Sequence, residues 1–224
     1  TANSGVGYLL VNTTSGEIRG NVTNTGLDDA NLAHIHKAFA GTSSGNIVDL
    51  VKDGTNLSFW TFTATLSAAN LASLTTGELY FNVHTPANGT GEVRGQIAPE
   101  GVSVVRVPLT AAEAQTSGTN PSGTTTGSAI AYVTVNTNVA PATVKSSLTY
   151  DTLSPTINAH IHTDTGGGVV IGYTFVDTSA GTGTASIDST FSATALAEFL
   201  IDILYVNVHT ATNAGGELRG QIRP

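Results

Sequence analysis

Short extended runs of apolar and β-branched residues, broken by Gly, Asn and Ser, dominate the chain. Tyr8–Asn12, Glu17–Val22, Ala33–His36, Phe59–Leu66, Glu78–His84 and Glu92–Ile97 each read as a strand bounded by turn residues. Val102–Leu109 alternates apolar and polar positions and predicts another strand, and Ala111–Gly127 reads as a Thr/Ser/Gly-rich loop. Helix is minor: Asn70–Leu74 and Thr194–Leu200 each predict one short turn before a Tyr-containing strand. Asn88-Gly89 suits a tight connection between antiparallel strands. No run of 18 apolar residues occurs, so no helical membrane span is predicted.

The same pattern occurs twice at an offset of about 125 residues. Tyr80-Phe81-Asn82-Val83-His84-Thr85 matches Tyr205-Val206-Asn207-Val208-His209-Thr210, and Gly91-Glu92-Val93-Arg94-Gly95-Gln96-Ile97 matches Gly216-Glu217-Leu218-Arg219-Gly220-Gln221-Ile222. Ala33-His34-Ile35-His36 matches Ala159-His160-Ile161-His162, and the Gly7–Thr13 run resembles Ala131–Thr137. The order is shared, which predicts two tandem domains, 1–100 and 101–224. The second repeat is preceded by Val102–Leu109, whereas nothing comparable precedes Tyr8. A domain that needs that strand is one strand short in the first repeat.

Composition narrows the function classes. A net charge of -8 and a sequence pI near 5.0 speak against a phosphate-backbone contact, so no nucleic-acid partner is expected. The chain has no Cys, which removes disulfides and thiolate metal sites and fits an oxidising, extracellular or cell-surface setting. Its start at Thr1, with no apolar leader, reads as a mature or trimmed secreted product.

All six histidines fall in two equivalent trios, His34, His36 and His84, and His160, His162 and His209. On a strand, residues i and i+2 share a face, so each His-x-His pair presents two imidazoles to one point. A neighbouring strand can add the third. Three imidazoles suit a transition metal ion, with copper favoured over zinc; a hydrogen-bonded structural histidine is the competing reading. Glu92 with Arg94, and Glu217 with Arg219, share strand faces near the third histidine. They read first as an ion pair or hydrogen bonds pinning the hairpin, and second as carboxylate acceptors for an imidazole N–H. Asp28, Asp29, Asp49, Asp53 and Asp164 lack calcium-loop spacing and read as solvated turn carboxylates. Sequons at Asn12, Asn21, Asn56 and Asn88 all lie in the first repeat and fit surface exposure.

On Ala-His-Ile-His, Tyr-x-Asn-Val-His-Thr and Gly-Glu-[Val/Leu]-Arg-Gly-Gln-Ile, the chain resembles the CHRD (chordin-type) domain family, twice over. The resemblance implies an all-β fold of two tandem immunoglobulin-like or superoxide-dismutase-like antiparallel β-sandwiches, outside the cytoplasm. It implies no settled activity. Val107-Pro108-Leu109-Thr110-Ala111-Ala112-Glu113 resembles the family's opening strand, which the first repeat lacks: either the chain is trimmed there or a strand from another molecule fills the gap. The reading is a non-catalytic, secreted structural or adhesive protein with a three-histidine metal site in each domain. Self-association into a homo-oligomer or homopolymer, such as a filament or matrix assembled by strand donation, is expected. A copper enzyme of superoxide-dismutase type is one alternative, against which three histidines per repeat fall short of a dinuclear set. A protein-binding module with structural histidines is the other. No Gly-x-Ser-x-Gly or His-Glu-x-x-His motif suggests hydrolysis.

Overall fold

The structure, a computed structural model, describes residues 3–117, 125–153, 156–176 and 181–224. Contacts divide the chain into two compact units, Thr1–Glu100 and Gly101–Pro224. Unit 1 contains β1 (Ser4–Val11), β2 (Glu17–Thr25), β3 (Leu32–Lys37), β4 (Asn46–Asp49), β5 (Val51–Lys52), β6 (Phe59–Thr65), α1 (Ala68–Thr75), β7 (Leu79–His84) and β8 (Val93–Gln96). Two antiparallel sheets form, in the orders β1-β2-β6-β5 and β4-β3-β7-β8. Alternate residues of each face the other sheet: Ile18, Val22, Trp60 and Phe62 meet Ala33, Ile35, Leu79, Phe81 and Val83 in one core. The indole N–H of Trp60 is satisfied inside by Asn24 Oδ1 at 2.8 Å.

Unit 2 contains β9 (Val102–Leu109), α2 (Ala111–Thr116), β10 (Ser128–Asn136), β11 (Thr143–Asp151), β12 (Thr156–Thr163), β13 (Val169–Gly172), β14 (Thr174–Phe175), β15 (Gly183–Thr190), α3 (Ala193–Phe199), β16 (Leu204–Thr210) and β17 (Leu218–Gln221). Its sheets run β14-β15-β11-β10-β9 and β13-β12-β16-β17, so each strand of unit 1 has a counterpart and β9 is extra. β9 pairs with β10 over its whole length and buries Val105, Val107 and Leu109 in the core. It then closes the flank of the sandwich, because Thr110 and Arg219 exchange backbone hydrogen bonds of 2.8 and 3.1 Å. The all-β sandwich architecture that the family resemblance implies is therefore what forms, twice.

Three local expectations need correction. Ala111–Thr116 is a helix and not loop: Thr110 Oγ1 caps it by accepting from Glu113 N at 3.1 Å, a Thr-x-x-Glu capping signal hidden in a polar stretch. Residues 118–124 of that predicted loop lie outside the described residues. The helices before β7 and β16 are also longer than one turn, spanning Ala68–Thr75 and Ala193–Phe199, because Ser67 and Ser192 cap them. Asn88-Gly89 is not a two-residue turn. The β7–β8 connection is longer, with hydrogen-bonded turns at Thr85–Asn88 and Asn88–Gly91 and with Gly91 at φ 121°.

β1 is hydrogen-bonded on one side only, whereas its counterpart β10 lies between β9 and β11. Backbone amides of β10 should therefore exchange with solvent far more slowly than those of β1, a contrast read residue by residue by hydrogen-exchange NMR. Equal protection of the two strands would contradict this topology.

Candidate metal centre

The histidines stand on the outer face of the second sheet of each unit, away from the core. In β3, Ala33 and Ile35 point inward and are buried, so His34 and His36 point outward. β7 lies beside β3 with Leu32 opposite His84 and His34 opposite Asn82, which places His84 diagonally across from His34 on the same face. Beside each second histidine the neighbouring strand carries one extra residue: Ile35 pairs with Val48 and His36 with Asn46, and Ile161 pairs with Ile171 and His162 with Val169, so the bulged residues are Ile47 and Val170. The ring centroids of His34, His36 and His84 lie 4.8 to 5.6 Å apart, and those of His160, His162 and His209 lie 5.0 to 5.4 Å apart.

Four of the six rings are held by the same device. Nδ1 of His36, His84, His162 and His209 faces the carbonyl of Ser44, Gly89, Gly167 and Ala214 respectively, at 2.9 to 3.1 Å. A carbonyl only accepts, so each Nδ1 carries the proton and each Nε2 presents a lone pair. These lone pairs converge. In unit 2, His162 Nε2 and His209 Nε2 face each other at 3.3 Å, and the buried His160 Nδ1 has no hydrogen-bond partner among the described residues. In unit 1, His34 Nδ1 lies 3.0 Å from His84 Nε2, and the buried His36 Nε2 is unpartnered.

Three nitrogens bound tetrahedrally at about 2.0–2.1 Å from one ion would stand about 3.3 Å apart. The ligand atoms of each trio all lie within 4.8 Å of one another. The donor sets therefore fit a single transition-metal ion, two Nε2 atoms and one Nδ1 in each unit, with small closing movements. In unit 2 a neutral ring relieves the Nε2–Nε2 conflict only by moving its proton off Nδ1, which sets that lone pair against the Gly167 or Ala214 carbonyl. In unit 1 a neutral His34 can donate from Nδ1 to His84, but its Nε2 is also 3.6 Å from the Asp49 carboxylate, which favours the proton there.

The surrounding residues hold this arrangement. Tyr80 stacks on His36 with centroids 5.0 Å apart, and the Arg94 guanidinium lies 3.5 Å over the Tyr80 ring. Tyr205 stacks on His162 at 5.2 Å, with Arg219 over it at 4.0 Å. Each layered stack fixes one ligand ring from outside. Arg94 also donates to the carbonyls of Thr42 and Phe39, binding the loop that supplies Ser44. Asp164, in the equivalent loop that supplies Gly167, pairs with Arg219.

Of the two readings of the glutamates, hydrogen bonds that pin the hairpin are what the structure shows, and main-chain carbonyls stand where the second reading put carboxylates as imidazole acceptors. Glu92 accepts from Asn3, Thr85 and Asn88, and Glu217 from Thr125, Thr210 and Asn213, so each carboxylate pins the loop that carries Gly89 or Ala214. Asp53 is occupied locally, accepting from the backbone of Thr55 and Asn56.

The CHRD-domain family model matches residues 1–97 and 108–222. The chain belongs to the CHRD-domain family. A comparison with curated proteins gives no match. Each CHRD copy carries the trio at the same strand positions, and domains of this family are typical of extracellular proteins.

Two further CHRD positions, which the sequence patterns did not single out, hold the site: the Asn of Tyr-x-Asn-Val-His and the Gly of Gly-Glu. Asn82 Nδ2 donates to Thr90 O at 3.0 Å and Asn207 Nδ2 to Gly215 O at 3.1 Å, tying the histidine-bearing strand to the loop. Gly91 and Gly216 pass directly over these amides. A Cβ on Gly216 would lie 2.2 Å from Asn207 Nδ2 and Oδ1, at a φ of 127°. Both residues recur in the two repeats, but their role needed the loop's path.

Burial, first of all, holds His34, His36, His160 and His209 below the ordinary histidine value of 6.5, with neighbouring imidazoles adding to the effect. The rings are thus neutral and ligand-competent at pH 7. The unfolded chain then binds more protons than the native one, so this stability is complete above about pH 6.5 and is lost as pH falls through the lowered native values. In chelator, the urea midpoint should drop between about pH 7.5 and 5, with a shallower drop in His34→Asn/His160→Asn. A pH-independent midpoint would contradict the burial. Separately, Gly216→Ala should cost about 2 kcal/mol or more in urea unfolding; a neutral effect would contradict the close Asn207 contact.

Proposed function

We propose that the protein is a non-catalytic extracellular structural module that binds one transition-metal ion in each CHRD unit. The facing Nε2 lone pairs of His162 and His209, fixed by carbonyls that only accept, carry this reading. Two buried acceptors at 3.3 Å repel unless a cation lies between them, and a third ring nitrogen without a partner adjoins them. An all-imidazole donor set follows the Irving–Williams order, which ranks copper above zinc. The ion would add Lewis-acid charge that locks two strands and two loops together. The chain's own part is to desolvate and orient the rings.

A structural role fits better than dismutation. Each trio offers three imidazoles, and none is shared between two ion sites. The second histidine of each pair and the third histidine are buried under loops, leaving His34 and His160 as the more open members. Stability gained from a bound ion scales with its affinity and concentration, a direct benefit to a protein outside the cell.

Protein prepared without a nickel column and equilibrated with copper should hold two ions per chain by elemental analysis. His160→Ala should leave one, and His34→Ala/His160→Ala should leave none, with loss of the metal-induced rise in Tm. Unchanged metal content in the double variant would contradict the assignment.

A further inference from the structure

The two units share one framework, so the place β9 fills in unit 2 can be inspected in unit 1. There it is open. Repeat alignment sets Gly7 against Ala131 and Leu9 against Val133, the residues that face Val107 and Val105 of β9. Ala131, Val133 and Val135 are fully buried, whereas Val11, the counterpart of Val135, is exposed. Along β1, Val6, Tyr8 and Leu10 are 55%, 67% and 63% exposed, and residues 1–16 contain no charge. An uncharged apolar edge strand lacks the usual protection against pairing.

A cavity of about 410 Å³ runs along this flank, lined in part by Gly7, Leu9, Leu74, Phe81, Gly95 and Ile97. A cavity of about 150 Å³ already holds a benzene ring, so several aliphatic side chains fit. Gly95 and Gly220 occupy the same position of the two β8-type strands. A Cβ on Gly220 would lie 2.4 Å from Pro108 O and 2.8 Å from Val107 Cγ1, whereas one on Gly95 would meet nothing within 4 Å. The gap has the shape of β9.

We propose that this flank of unit 1 is a strand-acceptor site for an extended segment of a partner polypeptide, lying antiparallel to β1. The occupant's chemistry is read from unit 2. Apolar residues at alternate positions, in the manner of Val105, Val107 and Leu109, enter the cavity. A following Thr-x-x-Glu then reaches β17, where Thr110 bridges Arg219 and the Glu113 carboxylate accepts from Gln221 N at 3.0 Å. By register the occupant's Val107-like residue sits opposite Gly7 and its Val105-like residue opposite Leu9. Backbone pairing supplies affinity and the alternate pockets specificity.

In a second copy β9 is already paired along its whole length with its own β10 and buried in its own core. That pairing favours a partner strand over a second copy.

The test uses the full chain and a synthetic peptide of Gly101–Ser117, with a scrambled peptide as control. The peptide should bind one-to-one and slow amide exchange in Ser4–Val11 by about tenfold or more. Gly95→Val, whose side chain enters open space in the unoccupied flank, should keep the melting temperature and two bound metal ions. It should weaken peptide binding about tenfold or more by filling the position of Val107. No protection of β1, or protection that Gly95→Val leaves unchanged, would overturn the proposal. Protection of β1 that rises with protein concentration in the absence of peptide would overturn it in favour of a second copy. Because metal content is read in parallel, failure here is separable from failure of the metal assignment.

Discussion

A hydrogen bond from imidazole Nδ1–H to a main-chain carbonyl is the interaction on which the site depends. It appears at Ser44, Gly89, Gly167 and Ala214, and it converts four flexible rings into four fixed donors with their lone pairs facing inward. The carbonyls are supplied by loops, so the loops must be held in turn. Glu92 and Glu217 do that from the loop side, and Asn82 and Asn207 from the strand side. Gly91 and Gly216 are required because the chain crosses those amides at a distance no Cβ permits. The recurrent Tyr-x-Asn-Val-His and Gly-Glu strings are thus one mechanical unit.

The two copies separate the needs of the site from those of the sandwich. β8 is a largely open edge in unit 1 and β17 a covered one in unit 2, yet corresponding histidine ring separations agree within a few tenths of an ångström: 5.5 and 5.2, 4.8 and 5.0, 5.6 and 5.4 Å. The trio therefore depends on its own sheet and loops, and the missing flank strand leaves it intact. The units differ at one neighbour: Asp49 stands opposite His34, whereas Gly172 stands opposite His160. The carboxylate raises the proton affinity of His34 against the effect of burial, so the two sites are not electrostatically identical.

Most strands and both histidine trios were legible in the sequence because period-two alternation and tandem recurrence are strong, independent signals. The missing strand was legible as well, since one repeat carries Val102–Leu109 and the other has no match. The short strands β4, β5, β13 and β14 were not, because two to four residues give no periodicity. Helix α2 was concealed by the Thr/Ser/Gly-rich context after it. The hairpin-pinning role of the glutamates was legible from their place beside the third histidine, whereas the acceptors of the imidazole N–H groups were not, because loop curvature hands that role to carbonyls, which no side-chain pattern encodes.

The most direct test of this account is the tautomeric state of the histidines in metal-free protein, read by long-range proton–nitrogen NMR near pH 7.5. His36, His84, His162 and His209 should all carry the proton of their tautomer on Nδ1, facing a carbonyl, with Nε2 resonances that shift on addition of copper. Protonation at Nε2 in these rings, or Nε2 resonances indifferent to the metal, would contradict it.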